Sequence, residues 1–225
     1  MTLTSLTLAQ ALVAIFRPMF QHIFNTELAA ITSDKDLIEN LWEEIKRSYS
    51  KPGRYYHSLS HLDNLVSELI PVKDQIADWQ TLVFSIAYHD IIYNTVKNDN
   101  EEQSAKIAYD RLSKLSIPAS QKEKCFNQIM ATKRHAISDD DDTNFFIDAD
   151  LTILGADYGV YHQYSTMIRK EYKLYPDFVY KSGRQKVLRH FLQMKNIYKT
   201  AYFRNKYEMQ ARKNLTDELK ELSST

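Results

Sequence analysis

The chain has 225 residues, enough for one domain at the usual roughly 100–200 residues each. Its 29 Lys+Arg balance 29 Asp+Glu, so it lacks the basic field that draws a protein onto duplex nucleic acid or an anionic membrane. A 44 % hydrophobic fraction with 15 Tyr and 10 Phe excludes a disordered chain, and only 4 Gly and 5 Pro leave little turn chemistry for many short strands, so an all-α fold is expected.

Met1–Phe16 is uncharged, lacks a basic leading segment and carries Thr2, Thr4, Ser5, Thr7 and Gln10, so it does not read as a signal peptide. Arg17 and Pro18 then interrupt the apolar stretch before the roughly 20 residues of a membrane span. The single Cys125 has no disulfide partner, reads as a buried small hydrophobe and points to a reducing compartment. A soluble, cytoplasmic protein with no membrane partner is expected.

Leu37, Ile38, Leu41, Trp42 and Ile45 recur at helical spacing and form one core-facing stripe, closed by Pro52-Gly53. Leu59, Leu62, Leu65, Val66, Leu69 and Ile70 mark a second helix that Pro71 ends. Trp79–Tyr93 is apolar almost all round and suits a helix in the middle of a bundle. Asp99 with Glu102 reads as a capping box for a helix reaching Leu115. Further helices are expected over 121–135, 145–154, 158–172, 184–200 and 208–222. The acidic run Asp139–Asp142 reads as a solvated loop that also caps the next helix. There is no fixed-period repeat and no Ser/Gly-rich linker, so residues 1–225 are expected to form a single-domain helical bundle.

The residues able to carry chemistry cluster among the seven His. His57 and His61 are four apart, which on a helix places them on one face, and His89-Asp90 falls inside the most apolar helical segment. An ionised Asp there is costly unless a cation or firm hydrogen bonds compensate it. Imidazole nitrogens with carboxylate oxygens suit a divalent first-row metal. Asp148 and Asp150 add two carboxylates in an apolar context, Ile147–Leu151.

An early His, a His-Asp doublet and a distant Asp resemble the HD superfamily of metal-dependent phosphohydrolases; the order here is His61, His89-Asp90, Asp150. The segments Arg54–Leu62, Tyr88–Tyr93, Asn100–Ala105, Thr132–His135, Asp148–Gly155, Ile168–Tyr172, Gly183-Arg184 and Glu208–Arg212 resemble an uncharacterised bacterial branch of that superfamily across nearly the whole chain. The resemblance implies an HD/phosphodiesterase-like helical bundle in which His61, His89, Asp90 and Asp150 hold one or two divalent ions, manganese, iron, cobalt, nickel, zinc or magnesium. The segment Tyr56-His57-Ser58-Leu59-Ser60-His61 is also similar to the Tyr-His-Asn-x-x-His segment of cyclic nucleotide phosphodiesterases, with Ser58 in place of Asn. That similarity implies that His61 is the ligand and His57 the acid that protonates the leaving oxygen.

Glu101 and His135 are the nearest candidates to complete a second metal site, against capping and helix-end roles. The expected catalytic set is His57, Asp90 and Glu101. Arg54, Lys133, Arg134, Arg169 and Arg184 stand in or beside the resembling segments as phosphate-binding candidates. The expected substrate-binding set is Arg54, Lys133, His135 and Arg184. Asp148 is expected to orient a ligand from behind. His22, His162 and His190 read as ordinary, and Tyr158, Tyr161, Tyr164, Tyr172 and Tyr175 as core rather than a base-stacking platform.

The function expected is metal-dependent hydrolysis of a phosphate ester, with a small phosphorylated substrate, a nucleotide or related compound, as the partner. The alternative is a catalytically weak module that senses a nucleotide or docks a protein. An iron oxygenase on the same fold is a third option, and a ferritin-like di-iron bundle is disfavoured because no Glu-x-x-His occurs.

Overall fold

The structure, a computed structural model, describes residues 19–223; the reading of Met1–Phe16, with Arg17 and Pro18, lies outside them. The described residues form ten α-helices and no strand: α1 Met19–Ala29, α2 Lys35–Tyr49, α3 Leu59–Leu69, α4 Trp79–Tyr88, α5 Asn100–Leu112, α6 Ala119–Ala131, α7 Asp141–Asp150, α8 Tyr158–Glu171, α9 Asp177–Gln193 and α10 Ala201–Ser223. Short 3-10 turns, Ile70–Gln75 and Thr152–Gly155, follow α3 and α7. No described helix is long and apolar enough to cross a membrane.

Helix α4 is the centre of the molecule. Every residue from Thr81 to Tyr88 is buried, and α1, α3, α5, α6 and α7 all pack against it. Around it Phe20, Phe24, Trp42, Phe84 and Phe146 join one continuous hydrophobic cluster that also takes in Cys125. Helix α10 packs over the Thr152–Gly155 turn and α9.

The expected helix over 79–93 stops at Tyr88. His89 Nδ1 lies 2.9 Å from Ile86 O, and the Asp90 N–H donates instead to the Tyr49 hydroxyl at 3.1 Å. The Asp90-to-Ile86 bond that would continue the helix is thus replaced on both sides. The capping box also fails to form: Asp99 caps no backbone N–H with its side chain, while Glu102 pairs with Lys106 at 2.7 Å.

Helix α9 starts seven residues before the expected 184, directly after Pro176, and Gly183 lies within it. Helix α10 starts at Ala201 rather than 208 because Asp148 provides its N-terminal partner, accepting from the Lys199 and Thr200 N–H groups and the Thr200 hydroxyl at 2.7–2.9 Å. Asp148 therefore anchors the C-terminal helix and orients no ligand. Within the acidic run Asp140 caps α7 as expected. Asp142, however, is buried, accepting from Ala77 and Asp78 N–H and from Lys124 Nζ at 2.6–2.9 Å.

Gly155 is where α10 crosses most closely. A Cβ there would lie 2.6 Å from Tyr207 Cβ and 2.7 Å from the Tyr207 carbonyl oxygen, part of a backbone that cannot yield. Gly155→Ala is expected to cost about 1–3 kcal/mol. Gly159→Ala, whose Cβ meets nothing within 4 Å, is expected to be neutral or to gain up to about 1 kcal/mol. Urea midpoints of the two variants check this.

Candidate metal centre

The segment that ends α4 brings His89 and Asp90 to the floor of a cleft of about 850 Å³. Helix α3 brings His61, α7 brings Asp150 at its last residue, and the turn after α6 brings His135. His61 Nε2 lies 3.2 Å from His89 Nε2 and 3.2 Å from Asp150 Oδ1. His89 Nε2 lies 3.2 Å from Asp90 Oδ2 and 3.9 Å from Asp150 Oδ1. His61, His89 and Asp90 each offer one donor atom within 4.8 Å of the others.

These distances test whether a metal ion suits the site. Nitrogen and oxygen ligands about 2.0–2.2 Å from one ion lie about 3.0–3.5 Å from each other, and three of the four separations are 3.2 Å. The Ile86 carbonyl fixes the proton of His89 on Nδ1, so its Nε2 lone pair points at a second imidazole nitrogen and at two carboxylates. Such convergence requires a proton or a cation. Burial opposes charge on all four groups, yet Asp90 pushes His89 up to about 9. His89 and His57 hold Asp90 below the usual carboxylate range, and His135 and His61 do the same for Asp150. Burial keeps His61 below its ordinary value. The donor set fits a divalent ion.

His57 precedes α3, which begins at Leu59, so it shares no helical face with His61. It is placed instead by Glu171, the last residue of α8. Glu171 Oε1 accepts from the Tyr55, Tyr56 and His57 N–H groups at 2.7–3.0 Å. Its Oε2 takes His57 Nδ1 at 2.7 Å and the Tyr93 hydroxyl at 2.8 Å. With Nδ1 held, His57 Nε2 faces Asp90 Oδ2 at 3.8 Å. Burial lowers the His57 pKa, but Asp90 and Glu171 together outweigh it and the ring ends above its ordinary value. Glu171 belongs to one of the resembling segments, but nothing local in sequence pairs it with a residue 114 positions earlier.

His135 reaches the site through strain. It is the one described non-glycine residue with positive φ, 48°, and its Nε2 lies 2.9 Å from Asp150 Oδ2. It contacts the second oxygen of a carboxylate whose first oxygen faces His61. Glu101 lines the cleft with Oε2 4.0 Å from Lys133 Nζ, and no hydrogen bond joins it to the His/Asp group. Lys133 lines the cleft and donates to Asn98 O at 2.7 Å.

Two expected phosphate binders are committed elsewhere. Arg54 lies off the cleft wall, donating to His57 O and Ile91 O at 3.3 and 3.0 Å beneath the Tyr49 and Tyr93 rings. It braces the backbone of both His-bearing segments. Arg184 borders the cleft but is buried, gripping Glu218 of α10 with two hydrogen bonds of 2.8 and 2.9 Å. Arg169 is likewise paired, with Asp177 at 2.5 Å. Of the Tyr-rich stretch, Tyr161 is core and bonds Glu218, but Tyr164, Tyr172 and Tyr175 line the cleft. His190 also lines it.

The chain matches no protein-family model, no curated protein and no solved structure.

Two variants probe these placements. Burial works against the Glu171 charge, but the His57 ring, the backbone N–H groups and Tyr93 hold its pKa at about 2. A carboxylate depressed on folding stabilises fully above its unfolded pKa, about 4.3, and loses that contribution as pH falls toward the folded value. Glu171→Gln is expected to cost about 2–4 kcal/mol at pH 7, with the gap to the natural chain narrowing between pH 5 and 3 in denaturant titrations. At position 135, both Gly and Ala remove the contact with Asp150, so their difference isolates the backbone. His135→Gly is expected to melt above His135→Ala by the equivalent of about 1 kcal/mol; equal melting points would remove the strain.

Proposed function

We propose that this chain is a metal-dependent phosphohydrolase of the HD type that cleaves a phosphate ester of a small substrate, with nucleotides as the leading class. The observation carrying the reading is the pairing of two arrangements on one cleft floor. One is the four-donor group of His61, His89, Asp90 and Asp150; the other is a protonatable His57 held by Glu171 beside it. The four donors would hold the ion. When bound, a divalent ion there supplies Lewis acidity toward phosphate oxygens and makes water acidic enough to lose a proton near neutral pH.

The chain's own residues account for the rest of the chemistry. Glu171 fixes the His57 tautomer with the proton on Nδ1, stabilises the charged ring and leaves Nε2 facing the cleft. His57 is then able to give its Nε2 proton to a leaving alkoxide, a general-acid role. His135 restrains Asp150 through its second oxygen. Tyr56 packs against both the His57 and His61 rings, 5.0 and 4.9 Å from their centroids.

The purified protein is expected to carry about one or two transition-metal ions per chain by elemental analysis. It is also expected, with manganese, cobalt, nickel or magnesium, to hydrolyse at least one nucleotide, releasing phosphate from a nucleoside mono-, di- or triphosphate or opening a cyclic phosphate to the monophosphate. His61→Ala should lose metal. His57→Ala should keep it and slow turnover by about 10²- to 10⁴-fold, less on nitrophenyl than on alkyl phosphate esters, whose leaving group needs the proton. Metal loss in His57→Ala with retention in His61→Ala would reverse the two roles. Bound metal with no hydrolysis of any substrate would leave the nucleotide-binding module.

A further inference from the structure

The cleft carries more positive charge than the metal centre and its ion pairs account for. Its carboxylates are Asp90 and Asp150 on the floor and Glu101, which faces Lys133. Arg184 is matched by Glu218. Lys97, Arg134 and Lys186 also line the cleft, all exposed, and among the described residues no carboxylate pairs with any of them. A chain of zero net charge thus gathers three unmatched cations around one opening.

These cations come from three separate elements: the loop after α4, the turn after α6, and α9. Two hydrogen bonds close those elements into one rim. Lys133 Nζ donates to Asn98 O at 2.7 Å, joining the turn to the loop between Arg134 and Lys97. The Tyr175 hydroxyl donates to Thr95 O at 2.9 Å, joining the segment before α9 to the same loop. Holding like charges around a partly apolar cleft is unfavourable in the empty protein and focuses a positive potential on whatever enters. Arg134 offers a planar fork and the two lysines offer point charges, the donor set that phosphate or carboxylate oxygens accept. The volume of about 850 Å³ far exceeds what one phosphate on the floor needs and falls in the range of sites that enclose a whole small molecule. Tyr172 and Phe191 provide apolar faces in the same cleft.

We infer that Lys97, Arg134 and Lys186 form a second anion subsite, and that the ligand of the cleft carries two anionic groups, one for the floor and one for the rim. The substrate class is then a small bisphosphorylated ester rather than a monophosphate. Naming it a substrate rests on the phosphohydrolase reading; the anion subsite does not.

The test is calorimetric binding of adenosine 3′,5′-bisphosphate and adenosine 5′-monophosphate to the full chain and to the Arg134→Gln/Lys186→Gln double variant. The natural chain is expected to bind the bisphosphate at least about ten-fold more tightly. The double variant should bring the two ligands to within about two-fold, with metal content and melting temperature unchanged. The preference should also shrink between about 50 and 300 mM salt, as screening demands. Equal affinities in the natural chain, no binding of either ligand, or a preference that survives the double substitution would overturn the subsite. Phosphate release, followed in the same samples, separates the two claims. Preferential binding without release from either ester supports the subsite and counts against the hydrolase for this substrate class; release from both esters with equal KM supports the hydrolase and overturns the subsite.

Discussion

Two imidazoles and two carboxylates meet where a helix buried along nearly its whole length ends, and that meeting governs the design around it. Helix α4 is apolar on every side, so whatever follows Tyr88 emerges from the hydrophobic core rather than from solvent. His89 is buried and Asp90 only partly exposed there, so burial costs both groups hydration that protein groups or a cation must offset. The protein places His61 and Asp150 against them, holds the second Asp150 oxygen with His135, and orients His89 through the Ile86 carbonyl. Each contact holds a ring or a carboxylate in one orientation, so the donor atoms that could hold a divalent ion already converge.

The same device recurs through the fold, where buried or half-buried carboxylates capture backbone N–H groups from neighbouring loops. Glu171 holds 55–57, Asp142 holds 77–78, Asp148 holds 199–200, and Glu208 holds 197–198. Accepting several N–H bonds favours the charged form of a carboxylate, and three of the four also face a nitrogen side chain: Glu171 meets His57, Asp142 meets Lys124 and Glu208 meets Arg212. An all-helical protein with few glycines has many loops whose N–H groups lack a ladder to join. These acids satisfy them while fixing which loop lies against which helix. In Glu171 the structural and chemical uses coincide, because the backbone it holds carries His57.

Local periodicity made most helices legible, since apolar residues at helical spacing have one burial solution; α2, α3 and α8 follow the pattern closely. The errors fall where a distant group overrides a local preference. Tyr49 takes the Asp90 N–H and ends α4 early, and Asp148 starts α10 early. Arg54 and Arg184 read as phosphate binders from residue type, but both are braces, the half-buried Arg54 stacked on two aromatic rings and the buried Arg184 joining a helix pair. The four residues His61, His89, Asp90 and Asp150 were readable as a group because their order resembles a known pattern. Glu171 was not, because its role exists only in the contact between two segments over a hundred residues apart.

The distribution of charge explains why residue type misled at the arginines. A guanidinium buried against Glu218 is neutralised and structurally expensive to release, so it offers little to a ligand even when it borders the cleft. An exposed lysine or arginine without a carboxylate neighbour has the opposite character, since its donors are satisfied only by water and exchange readily for phosphate oxygens. Lys97, Arg134 and Lys186 are of this second kind. Floor and rim of the cleft therefore differ in how their charges are paired. On the floor each imidazole and carboxylate has a partner, whereas the rim cations are exposed and, among the described residues, have no carboxylate partner, so the positive potential of the cleft is concentrated at its rim.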